Sequence, residues 1–510
     1  MCTILPRIFY DVAQECIVPF RPFFSREAAF RHFAQFILSK CVGTYEHGVT
    51  DAVRLHSYSM EYEDLDRCYE NLIKFFRADS YRLDALERCW MSVVAKSHSV
   101  FRRDGRAFMI IDGHNAIRCG RFMPAVQKML QNSESPTKPQ VTFGHLWGVC
   151  SVLAGDGDKK LYPIPVSAEI QSGDETLRRW ETESKMSRKS DEGGFVRHGD
   201  GEKNFSGSHV ERLVRNAIAT VKHLGKIYLL GDRYFLSAKT LTLIHGLCPN
   251  NEVVFVTKAR RNCMAYRIPE KNAEARKGRG RPRKKGKKVV VASLFSEKDK
   301  FKRATVNIYG EDKNLVYKEE VLLWGQGIYQ KLKFVLVEYD GVQSILVSND
   351  TSMGAISIIE AYSLRWKCEQ LYKVQSQTTG AYDSHFWTKA LPKLDRYRRK
   401  DSKDPLDDVD SDSAKRRILK TFRAYERYTF MSLVSHGITQ LLALELAAKG
   451  YRSPLYLRTK PEKVCSEENI IRDLGSLFLK GIASTATRPI PDKNKMASPI
   501  LPKTAPAIHQ

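Results

Sequence analysis

The sequence predicts an α/β fold: a mixed sheet flanked by helices, preceded by a helical domain and interrupted by a β-rich insertion. Three observations support this fold class. Residues 1 to about 100 place apolar side chains at helical spacing. Compact apolar runs then alternate with helical patterns, as at residues 107–111 and 226–230. Between residues 260 and 345, short β-rich runs replace this alternation.

The individual elements follow from periodicity and from turn residues between the apolar runs. Strands of the main sheet are predicted at 107–111, 141–153, 161–166, 226–230 and 252–256. Helices are predicted at 210–223 and 237–245, around Glu369, and at 422–448. The β-rich runs of the insertion lie at 304–309, 315–324, 332–338 and 342–347. Polar segments at 171–208 and 395–415 are predicted loops, and the proline-containing tail from about 484 is predicted to be disordered.

The length of 510 residues exceeds what one hydrophobic core usually serves, so several units are expected. The changes of pattern divide the chain into a helical domain, a first part of the α/β core, the insertion, a second part of the core, and a C-terminal helix with its tail. These units are predicted at 1–100, 101–259, 260–345, 346–450 and 451–510.

The charge balance points to a polyanionic partner. Lys and Arg number 83 against 58 Asp and Glu, a net charge of +25, and nucleic acid is the leading candidate. A membrane surface is the rival, but no run of 18 apolar residues predicts a spanning helix. The N-terminal residues lack the pattern of a signal peptide. Eleven cysteines occur singly without a Cys-x-x-Cys pair, which argues for reduced thiols rather than disulfides or a zinc ribbon.

Three carboxylates suggest a metal site. Asp112 and Asp232 each end a predicted strand, and Glu369 lies on a predicted helix. Hard oxygen ligands suit Mg²⁺ or Mn²⁺, and two such ions can activate an attacking oxygen and stabilise a leaving one in phosphodiester chemistry. Each aspartate alone is more often a turn residue, and Glu369 alone can pair with Lys373. The combination of all three in this order favours the metal site.

The helix that carries Glu369 also suggests a phosphate contact. Tyr362, Arg365 and Glu369 have i, i+3 and i+7 spacing, which places them on one helix face where they can touch one phosphate-rich ligand. The neighbouring Trp366 can stack on an unpaired base, although a tryptophan beside a buried helix face is more often part of the core.

A second candidate contact with DNA is the basic run at 276–288, in which nine of thirteen residues are Lys or Arg. Within it, Arg279-Gly-Arg281-Pro-Arg283 resembles an AT-hook core, which fits the narrow minor groove of A·T-rich DNA. The alternative is a solvated basic loop.

Three segments together resemble the insertion-sequence DDE transposases with a ribonuclease H-like catalytic core. They are residues 108–112 with 120–124, residues 229–235, and residues 362–369. The last carries the signature Tyr-x2-Arg-x3-Glu of a subgroup with a β-rich insertion before the glutamate. The resemblance covers roughly residues 100–450, together with the general layout of the N-terminal helices.

The resemblance implies roles for particular residues. Asp112, Asp232 and Glu369 would hold two divalent ions, while Tyr362 and Arg365 would contact phosphates at the transposon end. Residues 1–100 would bind DNA ends, and 101–259 with 346–450 would form the ribonuclease H-like core. The subgroup's lysine, seven residues after the glutamate, falls on Ser376 in this chain. Lys373, one turn earlier, is the candidate substitute.

The function expected from this resemblance is metal-dependent DNA cleavage at transposon ends, followed by strand transfer into target DNA. The expected partners are terminal inverted repeats, target DNA and a second copy of the chain. The expected location is cytoplasmic and nucleoid-associated, if the chain is bacterial as the resemblance implies. Two alternatives stay open: a metal-dependent nuclease without strand joining, and an inactive or domesticated DNA-binding protein, which Ser376 would favour.

Overall fold

The computed structural model describes residues 4–43, 48–55, 62–130, 140–156, 160–171, 176–177, 179–180, 208–269, 283–308, 310–393, 395, 404–454 and 464–486. The helices of this part are α1 Ile4–Ile17, α2 Glu27–Val42, α3 Val49–Arg54, α4 Tyr62–Arg77, α5 Leu83–Lys96, α6 His209–Ala219, α7 Val221–Leu224, α8 Ala238–Leu247, α9 Ala355–Ser363, α10 Lys367–Gln377, α11 Asp412–Ala448 and α12 Glu467–Ala486. The strands are β1 Arg102–Arg103, β2 Arg106–Ile117, β3 Gln127–Leu130, β4 Val141–Asp156, β5 Lys160–Gln171, β6 Ile227–Gly231, β7 Val253–Lys258, β8 Met264–Tyr266, β9 Lys288–Val290, β10 Lys302–Ile308, β11 Glu311–Trp324, β12 Gln330–Tyr339 and β13 Val342–Ser348.

The expected mixed α/β fold is present, with one large sheet and helices on both of its faces. Its centre contains five strands in the order β5-β4-β2-β6-β7. The pairs β2–β4 and β4–β5 are antiparallel, whereas β2–β6 and β6–β7 are parallel. Helices α6 and α7 precede β6, and α8 connects β6 to its parallel neighbour β7.

Burial on both faces explains why the central strands are continuous apolar runs rather than alternating ones. In β2, the side chains of Ala107, Met109 and Ile111 enter one core, while those of Phe108 and Ile110 enter a second core. The first core also contains buried side chains of the N-terminal helices and of α11. The helices of residues 1–100 therefore share a core with the sheet. The second core lies beneath α9.

The insertion is β-rich as expected, and it continues the central sheet. Strand β13 pairs antiparallel with β7, and β12, β11, β8 and β9 follow outward. Most of the paired residues within the insertion belong to the hairpins β10–β11 and β11–β12. The insertion therefore extends directly from the strand that follows Asp232.

Helix α11 is the central helix of the first core. It begins ten residues before the predicted start, because the Ser411 hydroxyl accepts a hydrogen bond from the Ala414 N–H at 3.4 Å and caps the helix. Among the described residues, α11 is the one helix long and apolar enough to cross a membrane, and 83% of its most apolar window is buried within the protein. Its apolar surface is thus accounted for by packing.

Candidate carboxylate site

Parallel pairing of β2 with β6 brings Asp112 and Asp232 to the same place. Ile111 is the register partner of Gly231, and each aspartate is the next residue along the chain. Asp232 follows the end of β6, as the sequence predicts. Asp112 lies inside β2, which continues to Ile117 because residues 112–117 still pair with β4. The prediction that a strand ends at Asp112 is therefore wrong. Asp112 still lies beside Asp232, because that placement depends on the pairing of β2 with β6 and not on where β2 ends.

The Asp112 carboxylate receives three donors and is 17% exposed. Arg365 Nη1 lies 2.7 Å from Oδ2, and the Cys368 thiol lies 2.9 Å from the same oxygen. The Gly113 N–H donates to Oδ1 at 2.8 Å. Since buried charge is costly without partners, this arrangement explains how an ionisable group is tolerated within the central strand.

Burial raises the pKa of the Asp112 carboxyl above its usual value, and Arg365, Cys368 and the Gly113 N–H only partly oppose that effect. The neighbouring Asp232 raises it further. The two carboxylates therefore lie close enough to repel each other. A shared cation would relieve this repulsion.

Glu369 reaches the same cluster through Arg365. Its Oε1 lies 3.3 Å from Arg365 Nη2, so one guanidinium joins Asp112 and Glu369. The guanidinium also lies 5.9 Å from the centre of the Tyr362 ring. The three residues of the predicted face thus come together, together with Asp112 from the sheet.

These three residues do not lie on one uninterrupted α-helix, which corrects the sequence prediction. Tyr362 belongs to α9, Arg365 to a 3₁₀ turn at Leu364–Trp366, and Glu369 to α10. A 3₁₀ turn has about three residues per turn, so it tightens the spacing between α9 and α10. Contact survives because Arg365 is long enough to bridge the junction.

Burial raises the pKa of Tyr362 to about 12, with Arg365 opposing and Asp232 and Asp112 adding to the effect. Burial alone would lower the pKa of Arg365, but Asp112 raises it above its ordinary value. At neutral pH the site therefore holds a neutral phenol and a charged guanidinium. Those are the states suited to donating hydrogen bonds to a phosphate.

Two residues of the site were missed from the sequence. Cys368 has i, i+3 spacing from Arg365, and that spacing could have indicated its place. Lys258 ends β7, so the same strand-end argument that selected Asp232 applies to it. Burial lowers the pKa of Lys258, Asp232 opposes this, and Arg233 and Arg365 lower it further. Lys258 therefore adds a cation at the strand end next to Asp232.

Two further predicted contacts lie on α10 and on the 3₁₀ turn before it. Lys373 is exposed and, within the described chain, forms no ion pair with the three carboxylates. Trp366 is 43% exposed, so the interpretation as a core residue is wrong. Ser376 Oγ lies 3.4 Å from His114 Nε2. His114 itself stacks on Tyr372, and burial lowers its pKa to about 4.

The basic run lies mostly outside the described residues. Arg279 and Arg281 are not described, while Arg283 is exposed. Over the described ranges, no group of three or more His, Cys, Asp and Glu side chains is arranged to hold a metal ion. The positive charge between Asp112 and Glu369 is supplied by Arg365, so a metal ion would compete with this guanidinium for the same oxygens.

No protein-family model matches the chain, and no curated protein matches it.

Proposed function

We propose that the chain is a DDE-type DNA transposase whose core has a ribonuclease H-like fold. Two observations together carry the proposal: the parallel register of β2 and β6 sets Asp112 beside Asp232, and the Arg365 guanidinium joins Asp112 to Glu369. Its activity would be cleavage at transposon ends and strand transfer into target DNA, by two copies of the chain that pair the two ends.

The order of the central strands supports the core assignment. A ribonuclease H-like core has three antiparallel strands followed by two parallel strands, with the first strand in the middle. The order β5-β4-β2-β6-β7 and its strand directions fit that description. The insertion before the glutamate helix fits the subgroup with the Tyr-x2-Arg-x3-Glu signature.

The donor chemistry supports a divalent-metal site. Asp112, Asp232 and Glu369 would hold two Mg²⁺ or Mn²⁺ ions, which when bound activate an attacking oxygen and stabilise a leaving one. Tyr362 and Arg365 would bind the phosphate backbone beside them, since a charged guanidinium pairs well with phosphate oxygens. The net charge of +25 supports DNA as the partner.

A non-catalytic DNA-binding protein is the second candidate, and the surroundings of Ser376 favour it. The subgroup's lysine is replaced by this serine, which contacts His114. Lys373 does not reach the carboxylates within the described residues. A phosphate contact beside the metal site would be missing, and cleavage would be weakened or lost.

A cleavage assay tests the two candidates. Supercoiled DNA carrying the gene's own flanks is incubated with the wild type and with Asp232→Asn, in Mg²⁺, in Mn²⁺ and in chelator. The transposase proposal expects cuts at the flanks by the wild type alone and only with metal. Joined products separate strand transfer from simple nuclease activity.

Two controls sharpen the outcome. Asp408→Asn removes an exposed carboxylate remote from the site in sequence and should cut like the wild type. Ser376→Lys should increase cutting if the missing lysine limits activity. DNA binding without cutting by the wild type and by Ser376→Lys would contradict the transposase proposal and favour the non-catalytic protein.

A further inference from the structure

A second basic group lies immediately beyond Asp232, where β6 ends in a turn at Arg233–Phe235. Phe235 is buried and anchors this turn, whereas Tyr234 is 54% exposed. The guanidinium carbon of Arg233 lies 5.4 Å from the centre of the Tyr234 ring. That of Arg260 lies 5.5 Å from the same centre. One exposed aromatic ring therefore holds two arginines.

The fold fixes the position of these two arginines relative to Asp232. The Thr257 hydroxyl donates to the Asp232 carbonyl oxygen at 3.0 Å, which ties the end of β7 to the turn after β6. Arg260 follows β7 by two residues. The positions of Arg233 and Arg260 are thus set by the same two strands that place Asp232.

Neither arginine has an anionic partner in the part of the chain that the structure describes, and both are exposed. Arg365, in contrast, is bonded to Asp112 and Glu369. Exposed cations that form no ion pair within the described residues are complementary to an external polyanion.

From this geometry we infer that Arg233 and Arg260 form a clamp for backbone phosphates of DNA, with Tyr234 as the positioning residue that holds both guanidinium groups. Guanidinium groups bind phosphate oxygens in a bidentate manner and also stack on aromatic rings. Tyr234 therefore orients the two groups while their N–H donors stay available. The inference rests on the proposed function, because it assigns the clamp to DNA that enters the carboxylate site.

The test is the salt dependence of binding to a short fluorescein-labelled DNA duplex of mixed sequence, measured by anisotropy in KCl. Each lost phosphate contact reduces the log–log slope by roughly 0.9. Arg233→Ala and Arg260→Ala should each reduce the slope by about this amount. Tyr234→Ala should reduce it although no charge is removed, while Tyr234→Phe should retain the wild-type slope.

The matched control is Lys226→Ala, which removes one exposed cation at the opposite end of β6 and should leave the slope unchanged. Thermal unfolding of every variant checks that the fold is retained. Wild-type slopes in Arg233→Ala, Arg260→Ala and Tyr234→Ala would overturn the clamp while DNA binding stood. Absence of DNA binding by the wild type would overturn the proposed function together with the clamp.

Discussion

At the scale of single residues, the decisive contact is the pair formed by Arg365 and Asp112. Their side chains are 15% and 17% exposed, so solvent screens the pair only weakly. Arg365 also binds Glu369. We therefore expect the pair to contribute to the stability of the fold as well as to the charge of the site.

A double-mutant cycle with Arg365→Ala and Asp112→Asn should reveal this contribution. Each single change leaves a partner without its counter-charge, so the two effects should be non-additive by about 1–3 kcal/mol in the free energy of unfolding. Urea denaturation measures it. The control pair Arg67 and Asp64 is 72% and 53% exposed and should couple by less than about 1 kcal/mol. Additive effects at Arg365 and Asp112 would show that the contact does not stabilise the fold.

At the scale of elements, the close approach of α11 to the sheet depends on a missing side chain. Gly437 lies within α11, where a Cβ would stand 2.4 Å from the Trp90 ring and 3.1 Å from the Ile164 side chain. Trp90 lies on α5 and is fully buried, so its ring has little room to move. Glycine is therefore required by packing at a place where helix propensity disfavours it.

Gly437→Ala should consequently lower the free energy of unfolding by about 1–3 kcal/mol, because overpacking outweighs the gain of about 1 kcal/mol in helix propensity. Chemical denaturation gives the value. Gly246→Ala is the control, since it lies in α8 with no atom within 4 Å of a built Cβ. It should be neutral or stabilising by up to about 1 kcal/mol. A stabilised Gly437→Ala variant would contradict this account of the packing.

At the scale of the whole molecule, a buried polar group joins the sheet, the central helix and the last helix. Glu467 begins α12, and its Oε1 accepts a hydrogen bond from Gln440 Nε2 at 3.2 Å. The same carboxylate lies 3.7 Å from His436 Nε2 and 3.8 Å from Lys160 Nζ. Burial alone would raise the pKa of Glu467, but His436 and Lys160 lower it to about 2.

A lowered pKa means that Glu467 stabilises the fold when it is ionised. Its contribution, on the order of 3 kcal/mol, should be present above about pH 4.5 and be lost as the pH falls toward about 2. The difference in unfolding free energy between the wild type and Glu467→Gln should shrink from pH 7 to pH 3, as followed by urea titrations. Glu468→Gln, at an exposed position on the same turn, is the matched control for this comparison. A difference that does not change with pH would contradict the linkage.

The local pattern of apolar residues was sufficient to locate the main strands and helices of this chain. Both faces of β2 and β6 are buried, so these strands appear in the sequence as continuous apolar runs that can be located without knowledge of their neighbours. The insertion was likewise recognisable from its β-rich runs. The long helix was recognisable, but its start was misplaced because the Ser411 cap was not identified.

Long-range contacts decided what the local pattern left open. The sequence alone determined which residue types stand at Asp112, Asp232 and Glu369 and on which kinds of element they lie. Only the tertiary structure decided that β2 and β6 are parallel neighbours in that register, that β2 continues beyond Asp112, and that Arg365 and Cys368 contact the Asp112 carboxylate. It also placed Arg260 beside Tyr234 across two strands. The reason is physical: periodicity records which face of an element is buried, whereas strand partners and side-chain contacts depend on residues far apart in the chain.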